Sequence, residues 1–422
     1  MTRYLFALLV LAACAPQALA QTTVIRAGRL IDPESATASR NQVIVIEGGK
    51  VRAVGPNLDT PKGANVIDLS RSAVMPGLFD AHTHLCMTIN LKRDAGNYFH
   101  TTIRDPDTYR AVQGVANARD MLAAGFTTVR DVGNEGDYAC VSLRRAIGGG
   151  LVPGPTMLTA GRIIAPYGGQ FHLQPGRREL GEPEYFFADT RDEMRKAVRQ
   201  NAHFGARLIK IVVDDQPYIY SPEDIRFIVE EARAAGLKVA AHAWTTAGIH
   251  NAVGAGVASI EHANGITDED LGVAKRNGVT LVFTPFPEWV LRELGMSAEE
   301  AAKEYRDTRE RLAAAYRLGV PIAFGTDAAE AIPKYTRGTL SMAWVDSYVA
   351  AGMPPRAILQ ALTVNAARLL GVERDRGAIR PGMAADIVAT PADPLEDIQT
   401  LKHVGFVMKD GVVFKHEPEP RP

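Results

Sequence analysis

From about residue 74 to residue 353 the chain keeps one rhythm, and that rhythm limits what it can fold into. Short apolar runs rich in Val, Ile, Leu and Phe alternate with longer segments whose apolar residues recur at helical spacing. The runs cover residues 74–85, 126–131, 156–160, 208–213, 239–243, 259–263, 280–284 and 321–327, with helical segments such as 191–204, 222–235 and 298–318 between them. A chain of strand–helix units must bury each strand on both faces, and eight such units match a (β/α)8 barrel of the α/β class. The barrel is expected over residues 74–375.

The flanks have a different character. Residues 23–70 and 385–414 read as short β-rich stretches broken by turns such as Gly48-Gly49 and Asp410-Gly411. Both ends being β-rich around a helical middle predicts a small β-sandwich domain built from residues 21–73 and 376–416. The Pro/Glu-rich tail, 417–422, reads as disordered. At the other end, Arg3, the apolar run 5–13 and Ala18-Leu19-Ala20 read as a signal peptide over 1–20, so export to the periplasm or medium is the expectation. The apolar run is too short to span a bilayer. Leu11-Ala12-Ala13-Cys14 also resembles a lipoprotein box, which would leave Cys14 lipidated.

Three cysteines in 422 residues make no disulfide framework. Cys86, two residues past His84, reads either as a soft ligand or as a small core hydrophobe. A formal net charge of −1 leaves no electrostatic footprint for nucleic acid, and a small molecule or short peptide is the expected partner, with homo-oligomerisation open.

Barrel enzymes carry their chemistry at the C-terminal ends of the strands. There the runs end in or near His82 and His84, Lys210, His242, His262 and Asp327. His82 and His84 lie two apart, which on a strand puts both imidazoles on one face. Singly, each residue has a plain alternative: a hydrogen-bonded core histidine, a helix-capping aspartate, a snorkelling lysine. Together they form a ring of metal-ligand types at matching heights. Lys210 sits between Ile209 and Ile211, where burial would lower its pKa, and a neutral amine can add carbon dioxide to become a carbamate able to bridge two cations.

The motifs Pro76-Gly77-Leu78-Phe79-Asp80-Ala81-His82-Thr83-His84, Lys210, His242, Ser259-Ile260-Glu261-His262 and Gly325-Thr326-Asp327, with the flanking 362–371 and 377–388, resemble the amidohydrolase superfamily. The match is to its binuclear-metal members with a carboxylated lysine, in the neighbourhood of imidazolonepropionase-like amidohydrolases, Xaa-Pro or Xaa-Lys/Arg dipeptidases and enzymes that hydrolyse the amide of ochratoxin A. The resemblance implies that His82, His84 and Asp327 hold the more buried ion. His242 and His262 would hold a second, and N6-carboxylated Lys210 would bridge both. Two such cations, with zinc best suited to imidazole and carboxylate, acidify a shared water and polarise a scissile carbonyl. Asp327 is then the candidate general base, passing a proton to the departing amine.

The chain departs from its relatives at Gly168-Gly169-Gln170-Phe171-His172, where a Gly-Gly-His-Gly is frequent, and at Arg337-Gly338, where many have His-Gly. His172 is a candidate for the substrate carbonyl or carboxylate, with loop surface as the alternative. By resemblance, Tyr218 or Tyr220 anchors a substrate carboxylate, and Trp244, Phe286 and Trp289 are candidates for an apolar side-chain pocket, with loop packing as the alternative for each. The expected reaction is hydrolysis of an amide to a C-terminal, hydrophobic or aromatic amino acid. The rivals are a cyclic-amide or lactone hydrolase or deaminase on the same site, and a non-catalytic binding protein on an inherited barrel.

Overall fold

The computed structural model describes residues 22–133 and 136–418. The expected signal segment, Cys14 and the end of the tail lie outside the described residues. The strands, in chain order, are β1 Thr23–Asp32, β2 Thr37–Glu47, β3 Lys50–Gly55, β4 Asn65–Pro76, β5 Leu78–Thr83, β6 Phe126–Asp131, β7 Thr156–Thr159, β8 Ile163–Ala165, β9 Tyr185–Phe187, β10 Ile209–Val212, β11 Val239–Ala243, β12 Ser259–His262, β13 Thr280–Val282, β14 Ile387–Thr390, β15 Phe406–Lys409 and β16 Val412–His416.

The middle of the chain is a TIM-barrel-like α/β arrangement, though its ladders do not make one uninterrupted ring. They form a three-stranded parallel sheet, β5-β6-β7, and a six-stranded one, β13-β12-β11-β10-β8-β9. The split falls just after the third apolar run. Gly161 turns the chain at φ 72°, so β7 pairs with β6 on one side while β8 pairs with β10 on the other. The eighth run is not a ladder strand either. It holds an isolated bridge, Leu281 to Ile322, and reaches the first strand through Ala81 N–H to Phe324 O (2.8 Å) and Asp327 N–H to His82 O (2.9 Å).

Both chain ends meet, but in one seven-stranded sheet of order β16-β15-β14-β4-β1-β2-β3 rather than in the two facing sheets of a sandwich. Antiparallel pairing of β14 with β4 makes the C-terminal strands extend the N-terminal ones. The sheet curls, since Val51 N–H reaches Met383 O at 2.9 Å and Ala385 N–H reaches Gly49 O at 2.8 Å. Ile25, Ile44, Val51, Ile67, Ile387 and Phe406 then share one apolar cluster separate from the main core.

Helices around the parallel sheets begin where their caps dictate. Thr190 and Ser297 make capping boxes with Glu193 and Glu300, and Ser221 accepts from Asp224 N–H ahead of Pro222. Gly205 and Gly319, at φ 96° and 71°, end their helices in the left-handed region.

The Arg337-Gly338 departure has a packing explanation. The buried Arg337 guanidinium donates to the carbonyls of Met87 (2.7 Å), Ala329 (3.0 Å), His84 (3.3 Å) and Ala328, so one side chain ties the loop after the first strand to the loop after the eighth run. Gly338 lets its helix touch residue 120, where a Cβ would fall 2.2 Å from the Asp120 carbonyl oxygen. Backbone cannot yield there, so Gly338→Ala should destabilise the protein by about 1–3 kcal/mol. Urea unfolding followed by circular dichroism would show it, and an unchanged midpoint would contradict the contact.

Candidate functional site

The six residues His82, His84, Lys210, His242, His262 and Asp327 line one cavity of about 310 Å³ at the C-terminal ends of the parallel strands. The imidazoles crowd one another: ring centroids are 5.2 Å apart for His82 and His84, 4.9 Å for His82 and His262, and 4.5 Å for His242 and His262. Asp327 Oδ1 lies 3.0 Å from His84 Nε2 and 3.7 Å from His82 Nε2.

Three of the four rings are held from behind. His82 Nδ1 is 2.8 Å from Glu261 Oε2, His84 Nδ1 is 2.8 Å from the Gly133 carbonyl, and His262 Nδ1 is 2.9 Å from Thr284 Oγ1. A histidine held through Nδ1 offers Nε2 to whatever occupies the cavity, and such partners fix its tautomer and angle. Glu261 is itself fixed by Arg130 Nη2 at 2.7 Å and by Ser259 Oγ. Asp80 ties the two ends that carry His82 and Asp327, accepting from His82 N–H (3.0 Å), Thr326 N–H (3.2 Å) and Thr326 Oγ1 (2.7 Å). Burial nevertheless pushes its carboxyl up to about 7.

For His82 and His262 the electrostatics favour the neutral, ligand-competent imidazole. Burial, reinforced by nearby Lys210, keeps His82 well below the usual histidine range; burial and the neighbouring His242 and His82 do the same to His262. For His84, burial works against protonation, but the adjoining Asp327 carboxylate outweighs it and raises the pKa. Burial would raise Asp327, yet His82 and His84 hold it at about 2. Burial brings the Lys210 ammonium down to about 8.

His242 stands in a second group with Asp214 and Asp215. The Asp215 carboxylate, also on the cavity wall, has Oδ2 2.9 Å from His242 Nε2. The contact is not aligned as a hydrogen bond, and the buried Nε2 has no such partner. Burial raises the Asp215 pKa, but His242 and Gln170 more than reverse it. Asp214, fully buried, has Oδ1 4.0 Å from His242 Nε2, and its carboxylate caps the next turn through Trp244 N–H (3.0 Å) and Thr245 N–H (2.7 Å).

The remaining candidates separate. Trp244 and Phe286 line the cavity; Phe286 also packs edge-on against Trp344 at 5.0 Å. Trp289 does not; it stacks on Tyr335 at 5.0 Å and lines a different groove of about 390 Å³ with Leu401 and Lys402. His172 is exposed and outside the cavity lining. Tyr218 is half exposed and bonds Asp224 at 3.2 Å, while the buried Tyr220 donates to the Ala188 carbonyl at 2.7 Å, so neither hydroxyl faces the cavity. Cys86 and Cys140 are buried in the main core, with no disulfide, and do not line the site. Sequence reasoning missed Tyr98, Gln170, Asp215 and Glu330 on the wall. Two acids directly after the Lys210 strand were the available signal for Asp215.

The donor set fits divalent cations. Imidazole nitrogens and a carboxylate of His82, His84 and Asp327 lie within 4.8 Å of one another, and His242 Nε2 is buried with no aligned partner.

Residues 73–414 match the model of the amidohydrolase family. The ochratoxinase of Aspergillus niger is 31% identical over 94% of this chain and 87% of its own length. An imidazolonepropionase of Caldanaerobacter subterraneus subsp. tengcongensis is 25% identical over 90% of this chain and 91% of its own. The crystal structure of a Xaa-Pro dipeptidase with methionine bound in the active site superposes with a TM-score of 0.83, at 30% identity, covering 94% of this chain and all of that one. The chain thus belongs to the amidohydrolase family and is a hydrolytic enzyme acting on amide bonds.

Proposed function

We propose that this enzyme hydrolyses the amide joining an acyl group to a C-terminal amino acid with a hydrophobic or aromatic side chain, as in a dipeptide, an N-acyl amino acid or ochratoxin A. The convergence of six ligand-type side chains in one cavity carries the reading. The ochratoxinase and Xaa-Pro dipeptidase among its relatives support the substrate class. His82, His84 and Asp327 would hold one divalent ion and His242 and His262 another, with N6-carboxylated Lys210 between them; zinc suits these ligands best. When bound, the ion pair supplies an acidified water and polarises the carbonyl.

The chain's own residues do the rest. Asp327, ionised at neutral pH, accepts the proton of the attacking water and delivers it to the departing amine. Glu261 and the Gly133 carbonyl keep the His82 and His84 rings from turning away. Met87, Ile89, Trp244 and Phe286 give the cavity apolar surface for a side chain.

One observation favours a second reading. Lys210 is the only lysine or arginine on the described cavity wall, which otherwise carries Asp215, Asp327 and Glu330, so a substrate carboxylate meets no separate cationic anchor. A neutral cyclic amide needs none, and the imidazolonepropionase relative points the same way. Incubation with N-acyl-phenylalanines, Xaa-Phe dipeptides and dihydro-heterocycles separates the two: release of free amino acid is expected, and ring opening alone would overturn the first reading.

Metal analysis of the purified chain should find about two divalent ions per chain, and fewer in Lys210→Met; one or none in the unaltered chain would contradict the binuclear site. Asp327→Asn should lower kcat by roughly 10²–10⁴-fold while metal is partly retained. A wild-type turnover number in that variant would remove Asp327 from the role of base.

A further inference from the structure

We propose that Asp215 is a further ligand of the second cation, giving that site a carboxylate of its own beside His242 and His262. This rests on the reading that the cavity holds two divalent ions. Ligands of one ion, each about 2.0–2.2 Å from it, lie roughly 2.8–3.6 Å from one another, the shorter separations at right angles and the longer at tetrahedral ones. Asp215 Oδ2 is 2.9 Å from His242 Nε2, matching the 3.0 Å between Asp327 Oδ1 and His84 Nε2 in the other half of the cavity. A neutral imidazole donating to Asp215 would explain the distance, but the alignment such a bond needs is missing. His242 Nε2, on a side chain only 7% exposed, is thus a buried ring nitrogen beside a carboxylate, and the ligand atoms of Asp214, Asp215 and His242 lie within 4.8 Å of one another.

The surroundings hold Asp215 in that pose. Gln170 Nε2 donates to the same Oδ2 at 2.8 Å, and Gln170 is oriented in turn by Tyr185 Oη at 2.9 Å. Ligating carboxylates are characteristically supported from behind in this way. The Asp215 backbone sits at φ 91°, a costly region for a residue with a Cβ, and its carboxylate reaches the cavity wall while the buried Asp214 caps the next turn. The Gln170 amide thus serves Asp215.

The experiment is a titration of chelator-stripped protein with Mn²⁺ or Co²⁺, followed by calorimetry and, for Co²⁺, by absorption. The unaltered chain should take up two ions. Asp215→Asn should keep the first and bind the second at least 10-fold more weakly, with an altered cobalt spectrum; Gln170→Ala, which frees the carboxylate, should weaken the same ion by less. Should Asp215→Asn fold poorly, as judged by the melting of its metal-free form, Gln170→Ala and Asp215→Glu carry the comparison. Two ions bound by Asp215→Asn with unchanged affinities would overturn the inference. So would a variant whose only defect is a higher KM for substrates with a free amino group, which would make Asp215 a contact for that amine. Failure of the unaltered chain to bind two ions would instead remove the reading on which this one rests.

Discussion

Glu261 holds His82 with one carboxylate oxygen and Arg130 with the other, all three out of water, and the geometry of the site depends on that arrangement. An isolated buried charge is expensive, and removing one partner of a buried pair costs about 3–5 kcal/mol. The network has several partners. Arg130 also donates to the Ala81 carbonyl at 2.6 Å and to Ser259 Oγ at 2.9 Å, so one guanidinium joins β5, β6 and β12 through the interior. The polar groups of this network are tolerated in the core because each is satisfied, and the satisfied set fixes the His82 ring from behind.

Around that anchor, three of the lining residues carry backbone strain. His262, Asp327 and Asp215 occupy the left-handed region at φ 72°, 59° and 91°. Such conformations persist only where neighbouring contacts over-determine them. Here the contacts are visible: Asp80 gripping residue 326, Arg337 stapling the carbonyls of residues 84, 87, 328 and 329, and Gln170 holding residue 215. A cavity built from several separate strand ends keeps its shape because these crosslinks, each between distant parts of the chain, leave few of its lining groups able to relax independently.

Much of the architecture was legible in local pattern. Alternating strand and helix periods located β6, β10, β11, β12 and β13 within a residue or two, and helical spacing located the helices 191–204 and 298–318. The broken third strand was not legible, because Gly161 reads as an ordinary turn and only the pairing of β7 and β8 with different neighbours shows what it does. Nor was the single curled sheet: β-rich stretches at both chain ends are equally compatible with one sheet or two, and antiparallel pairing between β4 and β14 is a choice made across more than three hundred residues.

The sequence by itself determined which residue types stand at the ends of the strands, because side-chain alternation and the strand–helix rhythm are properties of neighbouring residues. His82, His84, Lys210, His242, His262 and Asp327 could be read from it, and they line one cavity. Tertiary structure alone decided their partners and the fate of the loop residues. Glu261 became the support of His82, Asp215 came to face His242, and His172, Tyr218, Tyr220 and Trp289 were directed elsewhere. A loop side chain has no periodicity to reveal its direction; that direction is set by backbone angles and by hydrogen-bonding partners which only the folded chain brings within reach.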